Sequence, residues 1–138
     1  MYSYAEKRLC RVTLPNHDFG ATAGVKEFSF RLPNDEHGRP CQGQVVKIGV
    51  MVTEVFACDA TAAFFELGTA ADPDAFCKLT IADGAAAKDC FDETDDTDAI
   101  IAKNIPASTL VEVTLTEGTD GTLVTGQGIP FVDILCWT

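Results

Sequence analysis

The sequence predicts an all-β protein, a single antiparallel β-sandwich domain spanning residues 1–138, and three observations predict it. Apolar and polar residues alternate with a period of two in several short runs, clusters of turn-forming residues separate those runs, and helical periodicity is almost absent. At 138 residues and 14.8 kDa the chain is large enough to bury a core without depending on metals or crosslinks. About seven or eight short strands are expected.

The first segment, MYSYAEK, carries Tyr2 and Tyr4, the only tyrosines, and has no evident partner strand. Residues 1–11 are expected to provide an extended N-terminal arm and the start of the first strand. Arg8 to Leu14 places Cys10, Val12 and Leu14 on one face and stops at Pro15-Asn16. In Lys26 to Leu32, Phe28, Phe30 and Leu32 alternate with Glu27, Ser29 and Arg31, so one side is core and the other is wet. Val45 to Phe56 is the longest strand; its even positions Val46, Ile48, Val50, Val52 and Phe56 form the expected core face, with Glu54 as the one charge on it.

Ala62 to Leu67 is a second apolar strand, in which the adjacent Phe64 and Phe65 must face opposite sides. Gly68-Thr69-Ala70-Ala71-Asp72-Pro73-Asp74 then punctuates the chain, and Asp72 with Pro73 behind it could cap one helical turn. A short strand over Leu79–Ala82 precedes the longest expected loop, Ala82 to Asp98, which is made of small and acidic residues. Ile100 and Ile101 resume an apolar segment. Leu110 to Glu117 alternates again through Val111, Val113 and Leu115, and Gly118-Thr119-Asp120-Gly121 has the composition of a hairpin turn. The last strand, Thr122 to Trp137, is interrupted by Gly126, Gly128 and Pro130, which suit a bulge or an edge.

The formal charge of −11 disfavours a nucleic-acid partner, because phosphate binding needs clustered Lys and Arg. The charge is uneven: residues 1–50 carry seven cations and five acids, whereas residues 51–138 carry three cations and sixteen acids. An acidic partner would therefore meet the N-terminal third, where Lys7, Arg8 and Arg11 stand near the two tyrosines. No apolar stretch approaches the ~18 residues of a membrane span, and the first ten residues lack the apolar region of a signal peptide, so synthesis in a cytoplasm and no membrane partner are expected. The six cysteines, Cys10, Cys41, Cys58, Cys77, Cys90 and Cys136, contain no Cys-x-x-Cys pair, and free buried thiols are the expectation.

Catalytic content is thin. His17 and His37 are the only histidines, both in polar loops, and Ser3, Ser29 and Ser108 lie outside any nucleophile motif, so no catalytic residue is assigned and no enzyme activity is expected. Asp92, Asp95, Asp96 and Asp98, with Glu93 among them, form the one dense group of oxygen donors and a weak candidate Ca²⁺ site. That run lacks the glycine an EF-hand loop requires at its sixth position; the competing reading is an extended, solvated acidic loop. No other cofactor or metal is indicated.

FSFRLP (Phe28 to Pro33), the VVKIGVMVTEVF strand, ELGTAADPDAF (Glu66 to Phe76) and the closing strand with its Gly-x-Gly resemble small virion structural proteins of tailed bacteriophages, particularly jelly-roll capsid decoration (cement) proteins. The resemblance spans roughly residues 26–135. It implies a jelly roll, a place on the capsid surface of a virion, and two partners, the major capsid protein and the chain itself as a trimer or dimer. Tyr2, Tyr4, Lys7, Arg8 and Arg11 would then be the capsid-facing residues. The competing readings are a phage tail, baseplate or receptor-binding module, and a carbohydrate-binding β-sandwich, which would need exposed aromatics as a sugar platform.

Overall fold

The computed structural model describes residues 7–20, 25–58, 60–102, 104–119 and 124–138, with the backbone alone for 25 and 26. Tyr2, Tyr4, Ser3 and the Asp120-Gly121 half of the expected hairpin turn lie outside the described residues. Among the described residues ten strands follow one another: β1 (Arg8–Thr13), β2 (His17–Asp18), β3 (Val25–Phe30), β4 (Gln42–Ala57), β5 (Ala63–Gly68), β6 (Cys77–Ile81), β7 (Cys90–Asp92), β8 (Asn104–Ile105), β9 (Val111–Thr116) and β10 (Thr125–Trp137). No helix occurs among the described residues.

The strands form two antiparallel sheets. One runs β1-β10-β4-β7, with β2 also on β10 and β8 also on β4; the other runs β3-β9-β5-β6. The core between them is drawn from both, with Ile48, Val50, Val132 and Ile134 from the first sheet meeting Phe65, Leu67, Leu79, Val113 and Leu115 from the second. The strict alternation in β9 and β5 explains their placement, since every second side chain reaches this core. Burying each of the larger side chains contributes roughly 1.5–3 kcal/mol.

β4 departs from simple alternation, and the reason is its register against β10. Asp133 pairs with Lys47 but Ile134 pairs with Val45, so Val46 has no partner and forms a β-bulge. The expected core face is kept at Ile48, Val50, Val52 and Phe56, whereas Val46 is exposed and Val45 is buried in its stead. Further along, Gly128 pairs with Val52 and Gln127 with Glu54, which leaves Thr53 over. This second irregularity turns Glu54 off the core face, where it accepts a hydrogen bond from the Gly126 N–H at 3.2 Å. Regular alternation would have buried an uncompensated carboxylate, and the bulge removes that cost.

The segment expected as the longest loop is tied to the sheet. β7 lies within it, and the flanking backbone runs alongside β4 through Gly84 N–H to Phe56 C=O (2.7 Å), Lys88 N–H to Val52 C=O (2.8 Å) and Val52 N–H to Asp89 C=O (2.9 Å). At Asp72-Pro73 a single hydrogen-bonded turn closes from the Ala75 N–H to the Asp72 C=O at 3.2 Å, and β6 begins before any helix propagates. Phe65 enters the core, and Phe64 lies half-buried on the opposite face with the Lys78 ammonium 4.3 Å from its ring centre.

Candidate interaction surface

The two outward faces of the sandwich differ in kind. That of the second sheet carries Glu27 and Ser29 from β3, Glu112, Thr114 and Thr116 from β9, Phe64 and Glu66 from β5, and Lys78 and Thr80 from β6. It is polar and acidic, as a solvated face should be. On the first sheet, the pairing register stacks side chains in rungs: Leu9 beside Leu135 beside Gln44; Arg11 beside Asp133 beside Lys47; Thr13 beside Phe131 beside Gly49; and Ile129 beside Met51 beside Cys90. Among the exposed large apolar residues, Leu9 (64%), Met51 (46%) and Val46 (41%) belong to this face, and Val55 (47%) stands further along β4.

Its central rung alternates in charge across three strands, and Asp92 on the fourth stands one rung along, opposite Gly49. Arg11 donates from Nε and Nη2 to the two carboxylate oxygens of Asp133, at 2.6 and 2.8 Å, a bidentate pair. Lys47, next across, donates from Nζ to Asp92 Oδ2 at 2.7 Å, with Glu93 Oε1 at 3.7 Å. The carboxylates are the deep members, their side chains only 8% (Asp133) and 13% (Asp92) exposed, with the cations above them. The hydrogen bond from Arg11 holds Asp133 below the usual carboxylate range against the opposing effect of burial. Burial would push Asp92 up, but Lys47 and Thr94 bind its ionised form and hold it at about 2.

Phe131 lies on this outward face, although its place in an apolar run reads as core. Its ring passes over Gly49, where a Cβ would stand 2.7 Å from the ring tip, and Arg11 lies 4.6 Å above the ring centre. A glycine below and a guanidinium above bury the ring outside the core.

The residues singled out in the sequence fare differently. Lys7 is exposed and lies over the Trp137 ring at 5.0 Å. Arg8 and Arg11 belong to β1, which pairs with β10 over its whole length, so residues 8–11 form a sheet edge, in keeping with the strand expected from Arg8 onward. Asp92, Asp95, Asp96 and Asp98 do not assemble a ligand shell. Asp92 is engaged by Lys47 and Thr94, Asp95 accepts from the Asp92 N–H at 3.0 Å, Asp96 accepts from the Thr80 N–H at 2.9 Å, and Asp98 is exposed. Among the described residues no three His, Cys, Asp or Glu side chains converge to hold a metal ion. The carboxylates of Asp92, Asp95 and Asp96 accept from backbone, threonine and lysine donors.

His17 stands edge-on to Phe19 at 4.6 Å between ring centres, and His37 is exposed with Glu36 Oε1 3.5 Å away. A pocket of about 100 Å³ between Arg31, Leu32, Pro40, Cys41 and Thr109 is well short of the roughly 300–1,000 Å³ of small-molecule sites. Cys10, Cys41, Cys77, Cys90 and Cys136 are free thiols. Among the described residues no helix is long and apolar enough to cross a membrane.

Sequence reasoning missed the apolar rungs of this face. A signal was present: GIPFVDILCW runs nearly continuously apolar where a strand with one wet face should alternate, and a strand of that kind is covered on both sides. Comparison with protein-family models, curated proteins and solved structures returns no significant match.

Proposed function

We propose that this chain is a non-enzymatic structural protein of a tailed-bacteriophage virion, a decoration protein that binds the outside of the head and bridges capsomers. The observation that carries the reading is the strand order. With the two-residue β2 and β8 set aside, the eight remaining strands stand in chain order 1-8-3-6 in one sheet and 2-7-4-5 in the other. That interleaving supports a jelly roll, the architecture of many capsid-associated domains. The resemblance of FSFRLP, VVKIGVMVTEVF and ELGTAADPDAF to decoration proteins points the same way.

The partners in this reading are the major capsid protein and further copies of the chain, on the surface of a virion made in the host cytoplasm. Residues 1–7 and the β1 edge with Arg8 meet the capsid, and the acidic face of the second sheet looks to solvent. Many weak contacts, multiplied by capsid symmetry, supply the affinity. A sugar-binding platform is less well supported, because Trp137 is half-buried and covered by Lys7.

The test is co-sedimentation with heads assembled from the major capsid protein encoded alongside this chain. Saturation at tens to hundreds of copies per particle supports a decoration protein, whereas recovery only with tails, in few copies, supports a tail or baseplate module. The informative truncation removes residues 1–6. Removing residues 1–11 would also take most of β1 and the Arg11 partner of Asp133, so lost binding would then report lost structure.

A further inference from the structure

We propose that the outward face of the first sheet is a self-association surface, covered by the same face of a second copy of this chain about a two-fold axis parallel to the strands and lying between β10 and β4.

Charge selects the occupant. The chain carries a net charge of −11, so two copies repel across most of their surfaces. The face of the second sheet makes this worse, with Glu27, Glu66 and Glu112 against Lys78. On the first sheet Lys7, Arg11 and Lys47 stand with Asp133, Asp92, Glu93 and, at one end, Glu54 and Asp18, so cations make up a larger share of the charge there than on the second sheet. A strongly charged partner gains little from such a face, whereas a second copy meets the least repulsion there.

The order of the charges selects the axis. Across β1, β10 and β4 the rung reads Arg11, Asp133, Lys47, that is plus, minus, plus, and the acids Asp92 and Glu93 follow on the β7 side, Asp92 one rung along and opposite Gly49. A two-fold axis parallel to the strands reverses the row in the second copy. Asp133 then faces Lys47 of the other copy, and Arg11 falls beside the Asp92 and Glu93 end of that copy's β7, so the charges of the rung meet the opposite sign. An axis along the row itself would set like against like, and the alternating pattern excludes it. An isologous contact must be self-complementary in this sense.

The apolar rungs agree with that axis. Reversal across the sheet carries β10 over β4, which brings Leu135 of one copy onto Gln44 of the other, two residues from the exposed Val46, on one side of the charged row. On the other side it brings Ile129 onto Met51. Apolar patches flanking a neutralised ionic row give the surface both attraction and register. The pairing stands apart from the capsid reading, since it is measured on the isolated chain.

The test is a concentration series of the full-length protein by sedimentation equilibrium. The expected species has twice the 14.8 kDa chain mass. Met51→Glu and Val46→Glu, at positions exposed enough to leave the fold intact, weaken association by roughly ten-fold or more by adding like charge, whereas Ile101→Glu and Leu110→Glu leave it unchanged. In a Cys90→Ser background, a mixture of Leu135→Cys and Gln44→Cys chains crosslinks under a small-molecule disulfide, which takes up two electrons and two protons as the interchain S–S bond forms. Neither variant crosslinks alone. A monomer at every concentration, a trimer, a dimer indifferent to Met51→Glu, or crosslinking by either single variant would overturn the proposal.

Discussion

Arg11 and Asp133 lie directly opposite each other on β1 and β10 and close two parallel hydrogen bonds, a bidentate pair on the outward face of a sheet rather than within its core. Arg11 also lies over Phe131, so one side chain neutralises a buried carboxylate and covers an aromatic ring. Arg11→Ala should therefore lower the denaturant midpoint, because Asp133 is left desolvated and unpaired. Arg11→Lys should recover only part of the loss, since an ammonium cannot reproduce the planar fork. Equal midpoints for the Ala and Lys variants would show that the fork geometry is irrelevant.

The acidic limb of the stability profile follows from Asp92. Its folded pKa, about 2, lies below its ordinary 3.8, so the ionised form is favoured in the folded state. The contribution is fully present above pH 4 and is lost as pH falls from about 4 through about 2. Its size is about 2 kcal/mol. Asp133, also lowered, adds in the same direction. Urea unfolding between pH 2 and 6 should show this slope, and Lys47→Met should flatten it by removing the hydrogen bond that holds Asp92 down.

Gly126 is required twice over. Its φ of +144° is a conformation that L side chains rarely adopt, and an added Cβ would meet the Phe56 ring at 2.5 Å. Gly126→Ala should cost about 2–4 kcal/mol in equilibrium unfolding, through strain and overpacking together. Gly84→Ala isolates the backbone part, because its φ is +85° and its Cβ would meet nothing within 4 Å.

Thiol reactivity should divide the cysteines. Cys90 is the exposed one and should be alkylated first, at a rate that rises steeply with pH because partial burial and the nearby Asp92 push its pKa up. Burial pushes Cys77 up to about 12, and burial with a hydrogen bond to Cys10 does the same for Cys136. Both should stay protected until the chain unfolds. Counting labelled thiols by mass, with and without denaturant, checks this against the total of six.

Several strands were legible because their chemistry is local. Phe28 and Phe30, and Val111, Val113 and Leu115, turn inward because a period of two leaves an extended chain no other way to separate apolar from polar side chains. Cys90–Asp92 was not legible as a strand. It is only three residues long, sits among acids, and exists because β4 offers it an open edge.

By itself, then, the sequence determined an all-β sandwich, its principal strands and most of its core, since burial of alternating apolar residues is decided within each strand. Only the tertiary structure decided which residues share the outward face of the first sheet. The bulge at Val46 sets the phase of β4 against β10, and the pairing of strands far apart in the chain brings Arg11, Asp133 and Lys47 into one rung, with Asp92 within reach of Lys47 from the next. Register between distant strands is a property of the whole sheet, and no local period encodes it.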